Sequence, residues 1–134
     1  MNRAIVPYTL LIRVLVITAV GWAAAITVSI MSSPAVMTVT EAAGSEQPAE
    51  PVAIGWFAYA GFYGTLLLLL WTALFVVAAW AAWTGRTAVL ALIAIPALIF
   101  SWLTLFSIGG GYIPATLALL AALILSVLQK RRIA

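Results

Sequence analysis

Four long apolar runs leave this chain few folds to choose from. They cover residues about 10–32, 54–83, 87–107 and 113–130. A helix crossing a bilayer needs about 20 consecutive apolar residues, and each run is near that length or above it. In all, 66% of the 134 residues are hydrophobic. A soluble domain of this size leaves about a third of its chain surface in water and cannot hide so much apolar area. The expected fold is therefore an all-α integral membrane protein, an antiparallel four-helix transmembrane bundle forming a single membrane domain over residues 1–134. A charged start before an apolar run also describes a secretory leader, but the first run outlasts a usual leader core and reads as a retained helix.

The runs differ in detail. The second, 54–83, is long enough to cross the hydrocarbon core and both headgroup layers, ~45 Å as a helix. Thr84-Gly85-Arg86 makes a tight polar turn, with Gly85 suited to a helix C-cap. The third run carries Pro96 in its middle, where loss of one backbone bond predicts a kink. Ser107 to Ile113, with three consecutive glycines, reads as a break. Pro114 then fits a first helical position, leaving a fourth span of only ~16 residues. Residues 33–53 form the polar loop. Val36 to Thr40 has some β character, and the rest reads as irregular.

Charge is scarce and sorted. Arg3, Arg13, Arg86, Lys130, Arg131 and Arg132 are the only basic residues, and Glu41, Glu46 and Glu50 the only acids. On four spans, all six basic residues fall on one side and all three acids on the other. Cytoplasmic segments carry the excess of Lys and Arg, so the six act as topology determinants. Both termini are then cytoplasmic, and loop 33–53 is extracytoplasmic in a plasma or inner membrane. Arg13 lies at the cytoplasmic end of its span and can snorkel to the headgroups. The basic residues serve orientation here, so no nucleic-acid partner is expected.

Two patterns mark candidate sites. Gly21, Ala25 and Ser29 share one helical stripe, as do Ala118, Ala122 and Ser126; small residues let membrane helices approach closely. The stripes read first as packing within the bundle and second as a surface for a partner. Trp56, Tyr59 and Tyr63 belong to an aromatic group at the start of the second run. Such groups usually form the interfacial belt, and they also suit contact with a lipid or quinone. Tyr59 and Tyr63, four residues apart, would share a helix face.

The absences are as informative. The chain has no His, no Cys and no Asp, and no acid lies in a span. Thiolate or imidazole metal sites, axial haem ligation by His and proton relays through the spans have no residues to use. We expect no catalytic residue, no metal and no cofactor. The leading expectation is an accessory or structural subunit of a larger membrane complex, respiratory or transport-related. The alternatives are a homo-oligomeric small channel or passive carrier, and a lipid- or quinone-binding membrane protein. Expected partners are membrane lipids together with other membrane subunits or further copies of the chain.

The charge pattern makes one direct prediction. A cysteine at Ser45 should react with an impermeant thiol reagent applied to intact cells. One in the 84–86 turn should be protected until the membrane is opened, and the reverse pattern contradicts the assigned orientation.

Overall fold

The computed structural model describes residues 7–33, 35–38 and 51–133. Arg3 and the three acids of the polar loop lie outside the described residues. The described chain forms α1 (Tyr8–Ser32), β1 (Ala35–Thr38), β2 (Pro51–Ile54), α2 (Trp56–Trp83), α3 (Thr87–Leu103) and α4 (Gly109–Ile133). Three of these helices, α1, α2 and α4, are long and apolar enough to cross a membrane, whereas α3 has 17 residues. Their composition makes the chain a multi-pass membrane protein by length and hydropathy.

Each helix packs against its sequence neighbours, and α4 closes the ring onto α1. The directions follow from side-chain pairs. Gln129 Nε2 donates to Thr9 Oγ1 at 3.0 Å at one end of α1, and Trp22 Nε1 donates to the Gly111 carbonyl at 2.9 Å further along. Rising numbers on α1 thus meet falling numbers on α4. Between α1 and α2 the same reversal pairs Arg13 with Trp83 and Thr27 with Thr72. The bundle is antiparallel.

The connections explain the reversals. α2 ends in a Schellman motif: the Arg86 N–H donates to the Ala81 carbonyl at 2.8 Å and the Gly85 N–H to Ala82 at 3.3 Å. That motif needs a left-handed residue, and Gly85 supplies it with φ 72°. Between α1 and α2 the chain forms a two-stranded antiparallel ribbon, with Ala35 opposite Ile54 and Thr38 opposite Pro51. The ends of the polar loop are therefore paired, where the sequence reading left most of it irregular.

Two further features differ from the sequence expectation. First, the short helix is α3, not the last one. The glycine run is helical and opens α4, with Pro114 in its sixth position. In a bilayer no water is present to accept an unwound backbone, so glycine's helix penalty is overridden. Second, α2 is not one continuous helix. Gly61, at φ 67° and ψ −171°, breaks it into a short leading segment and a run of 22 residues from Phe62 to Trp83. That run measures ~33 Å, close to the thickness of the hydrocarbon core. α3 stays helical through Pro96, which lies on its exposed face.

Small residues line the interior. The buried stripe of α1 is Ile12, Val16, Ala19, Ala23 and Thr27; α3 buries Leu90, Ala94, Ala97 and Ser101. On α4 Ala122 and Ser126 are buried and Ala118 is partly buried. Gly21, Ala25 and Ser29 instead lie on the exposed face of α1. Lipid tails are as apolar as a protein core, so close packing and hydrogen bonds hold such helices together. At the centre, Val16, Phe75, Tyr112 and Leu119 are at most 1% exposed. They fill the axis of the described bundle.

Ala122→Leu should therefore cost about 1–3 kcal/mol, the usual penalty for overpacking a filled interior. Ala25→Leu should change stability by less than about 0.5 kcal/mol, as exposed substitutions do. Thermal unfolding in detergent measures both, and equal effects would contradict the assigned faces.

Candidate ligand-binding cleft

An aromatic cluster joins α2, α3 and α4. The Trp71 ring lies 4.8 Å from Phe100 and 5.9 Å from Phe75, centroid to centroid. Tyr112 stacks on Phe75 at 6.0 Å and meets Trp71 edge-on at 6.2 Å. Stacked and edge-to-face pairs of this kind stabilise beyond the area they cover.

The Tyr112 ring places a hydroxyl in the middle of the bundle, where it must find a partner. Its oxygen lies 2.7 Å from Thr27 Oγ1, which lies 2.6 Å from Thr72 Oγ1. Thr72 Oγ1 in turn donates to the Leu68 carbonyl at 3.0 Å. Each hydroxyl has one proton to give. Thr27 Oγ1 also lies 2.9 Å from the Ala23 carbonyl, so Tyr112 donates to Thr27, Thr72 donates to the Leu68 carbonyl, and the single Thr27 proton goes to Thr72 or to Ala23. The relay ties α4 to α1 and α1 to α2.

Next to this cluster is a cleft of about 510 Å³. Its apolar wall includes Leu67, Leu68, Trp71, Phe100, Ile108 and the Tyr112 ring. Trp56 from the leading segment of α2 completes one side, and Gly64 leaves part of the wall bare. A volume of this size is typical of small-molecule sites. Antiparallel packing puts the cleft at the end of the bundle away from Arg13, Arg86 and Lys130.

The polar groups of the cleft are sparse. Thr104 Oγ1 donates to the Phe100 carbonyl at 2.7 Å, and Ser107 Oγ donates to the Thr104 carbonyl at 3.0 Å. Both hydroxyl protons are thereby used. Trp56 Nε1 is different: it is buried and has no hydrogen-bond partner among the described residues. A buried indole N–H without an acceptor loses a hydrogen bond's worth of stability. The atom is closed off from open space, so a ligand oxygen in the cleft pairs with it only once the indole turns. No Asp, Glu, Lys or Arg lines the cleft among the described residues. The arrangement suits an apolar body that carries an acceptor oxygen, such as a quinone or ester carbonyl.

Of the three aromatics singled out in the sequence, the structure brings only Trp56 into the cleft. Tyr59 is exposed with its ring 6.1 Å from Trp56, and it lines a second, more open hollow with Ser29 and Gly111. Tyr63 is 79% exposed and packs edge-on against Phe62. The helical break at Gly61 lies between Tyr59 and Tyr63, so they do not share a face as continuous helix would require. Trp71, Phe100 and Tyr112 were not singled out in the sequence. Tyr112 sits in the glycine-rich stretch read as a break, and the other two are hidden in uniformly apolar runs.

The basic residues gather at the opposite end. Arg13 lies over the Trp83 ring at 4.5 Å, Arg86 over Trp80 at 5.0 Å and Arg132 over Tyr8 at 4.8 Å. Lys130 and Arg131 are exposed there. Such cation–π contacts hold cations against aromatic rings at the bundle end. No protein-family model, curated protein or solved structure matches the chain.

The hydroxyl relay is directly testable. Tyr112→Phe should destabilise the protein by about 0.6–2 kcal/mol, the range for hydrogen bonds between membrane helices. Combining it with Thr27→Val should cost less than the sum of the single changes, because both remove one shared bond. Additive losses in detergent unfolding would contradict the relay.

Proposed function

We propose that this chain is a non-catalytic multi-pass membrane protein that holds an apolar, oxygen-bearing molecule of the lipid or quinone class. One observation carries the reading: an aromatic-walled cleft of about 510 Å³, with a buried Trp56 N–H in its wall that has no partner among the described residues. Apolar walls supply most of the affinity, and the single donor orients the ligand.

The orientation goes with this reading. The basic end, carrying Arg13, Arg86 and Lys130 to Arg132, faces the cytoplasm under the positive-inside rule. Both termini are then cytoplasmic, the polar loop is extracytoplasmic, and the cleft lies in the outer half of the bilayer.

A subunit role in a larger membrane complex is the second reading. The outward stripe of Gly21, Ala25 and Ser29 favours it, because a Cβ on Gly21 would meet nothing within 4 Å. An exposed stripe of small residues admits close approach by another helix. A passive channel has less support. The axis of the described bundle is filled by Phe75, Tyr112 and Leu119, so a pore would have to run between copies.

Native mass spectrometry after gentle solubilisation separates the three. The cleft reading predicts one bound molecule of lipid or quinone mass per chain, with occupancy reduced at least tenfold by Leu67→Trp or Ser107→Trp. Stoichiometric foreign subunits without that adduct favour the subunit reading. A bare homo-oligomer that conducts in liposomes favours the channel.

A further inference from the structure

A second cavity, of about 250 Å³, lies at the basic end of the bundle between α1, α2, α3 and α4. Its chemistry is opposite to that of the cleft. Arg13 and Lys130 both line it, together with Thr9, Thr87 and Gln129. No Asp or Glu is among its described lining residues.

The state of Arg13 is the informative feature. An arginine that simply snorkels would place its head in water or among headgroups. Here the guanidinium is held against the Trp83 ring at 4.5 Å, and its Nε is buried without a hydrogen-bond partner. Stacking uses the face of the guanidinium and leaves its edge of N–H donors open. Thr87 Oγ1, on the same cavity, is also buried and unpartnered. Thr9 Oγ1 and Gln129 Nε2 satisfy each other across the α1–α4 seam. Two cations and two unpartnered donors thus line one cavity, and no acceptor among the described residues answers them.

We propose that this cavity is a binding site for a phosphate group. The edge of Arg13 takes two phosphate oxygens in its forked geometry, Lys130 supplies the second positive charge, and the Thr87 hydroxyl donates to a third oxygen. Arginine forks and phosphate match bidentately, and such charge-assisted bonds are about twice as strong as neutral ones. The start of α3 adds to the field, since Thr87 is its first residue and no side chain caps it. The phosphate can belong to an anionic lipid headgroup or to a free soluble anion, and the two sources share this recognition chemistry. The site is independent of the apolar cleft and lies at the other end of the helices.

The test titrates the detergent-solubilised protein with three probes: short-chain phosphatidylglycerol, short-chain phosphatidylcholine and inorganic phosphate. Thermal stabilisation and ligand retention by native mass spectrometry are read in parallel. Phosphatidylglycerol should stabilise the protein and be retained. Arg13→Gln should weaken its affinity about tenfold or more, as loss of a charged hydrogen-bond donor does. Lys130 is exposed, so Lys130→Gln tests the same site without disturbing a packed residue and should weaken binding severalfold. Stabilisation by phosphatidylglycerol alone assigns the site to lipid, and equal stabilisation by inorganic phosphate assigns it to a soluble anion. Phosphatidylcholine binding as tight as phosphatidylglycerol, or no phosphate-dependent binding by a folded wild-type protein, overturns the proposal. Affinity unchanged in folded Lys130→Gln and Arg13→Gln also overturns it.

Discussion

A hydroxyl at the middle of a membrane bundle has no water to turn to, and the Tyr112 hydroxyl meets that constraint through Thr27. The consequences spread outward. Satisfying one oxygen fixes α4 against α1, and the Thr27–Thr72 bond carries the register on to α2. The same ring stacks on Phe75 and meets Trp71, which touches Phe100 of α3. One side chain therefore reaches all three other helices, directly or through one intermediary. Helices whose two faces are almost equally apolar get little registration from hydrophobicity, so this polar and aromatic junction is what makes one arrangement preferable to its neighbours.

The junction also divides the molecule into two ends of different character. On the side of the glycine-rich start of α4, the aromatic rings leave an apolar cleft with a single free donor at Trp56. On the other side the Arg13–Trp83 pair lines a small cationic cavity. Each end has a buried donor without a partner among the described residues, an indole N–H at one and a guanidinium Nε at the other. A membrane supplies the matching chemistries in the same order, with acceptor oxygens on apolar bodies in its interior and phosphates at its surface. The functional reading rests on that correspondence between orphaned donors and the molecules a bilayer offers.

How much of this could be read from the sequence follows from which signals survive in lipid. Apolar runs and sorted charges do, because both are defined against the bilayer; the four helices and the shared end of Arg13, Arg86 and Arg132 were legible that way. Helix faces were not. Lipid and core are equally apolar, so nothing separated the exposed Gly21–Ala25–Ser29 stripe from the buried Ala19–Ala23–Thr27 stripe two residues away. Glycine misled in both directions. Gly109 to Gly111 looked like a break and is helical, while Gly61, inside an unbroken apolar run, interrupts α2. The difference lies in tertiary context, since the bundle holds α4 helical around Tyr112, while the leading segment of α2 sits apart from the spanning run. Tyr112 itself could have been found by asking which polar groups in the spans lacked a partner, a question that also points to Thr27 and Thr72.

The central claim is that the apolar cleft is occupied by a molecule of the lipid or quinone class held through Trp56. An experimental density map of the protein, purified with its native lipid, tests this most directly. The account predicts elongated density between Trp71, Phe100 and Trp56, with an acceptor oxygen about 3 Å from Trp56 Nε1. A cleft closed by its own side chains, with Trp56 Nε1 bonded to a protein carbonyl, would contradict it.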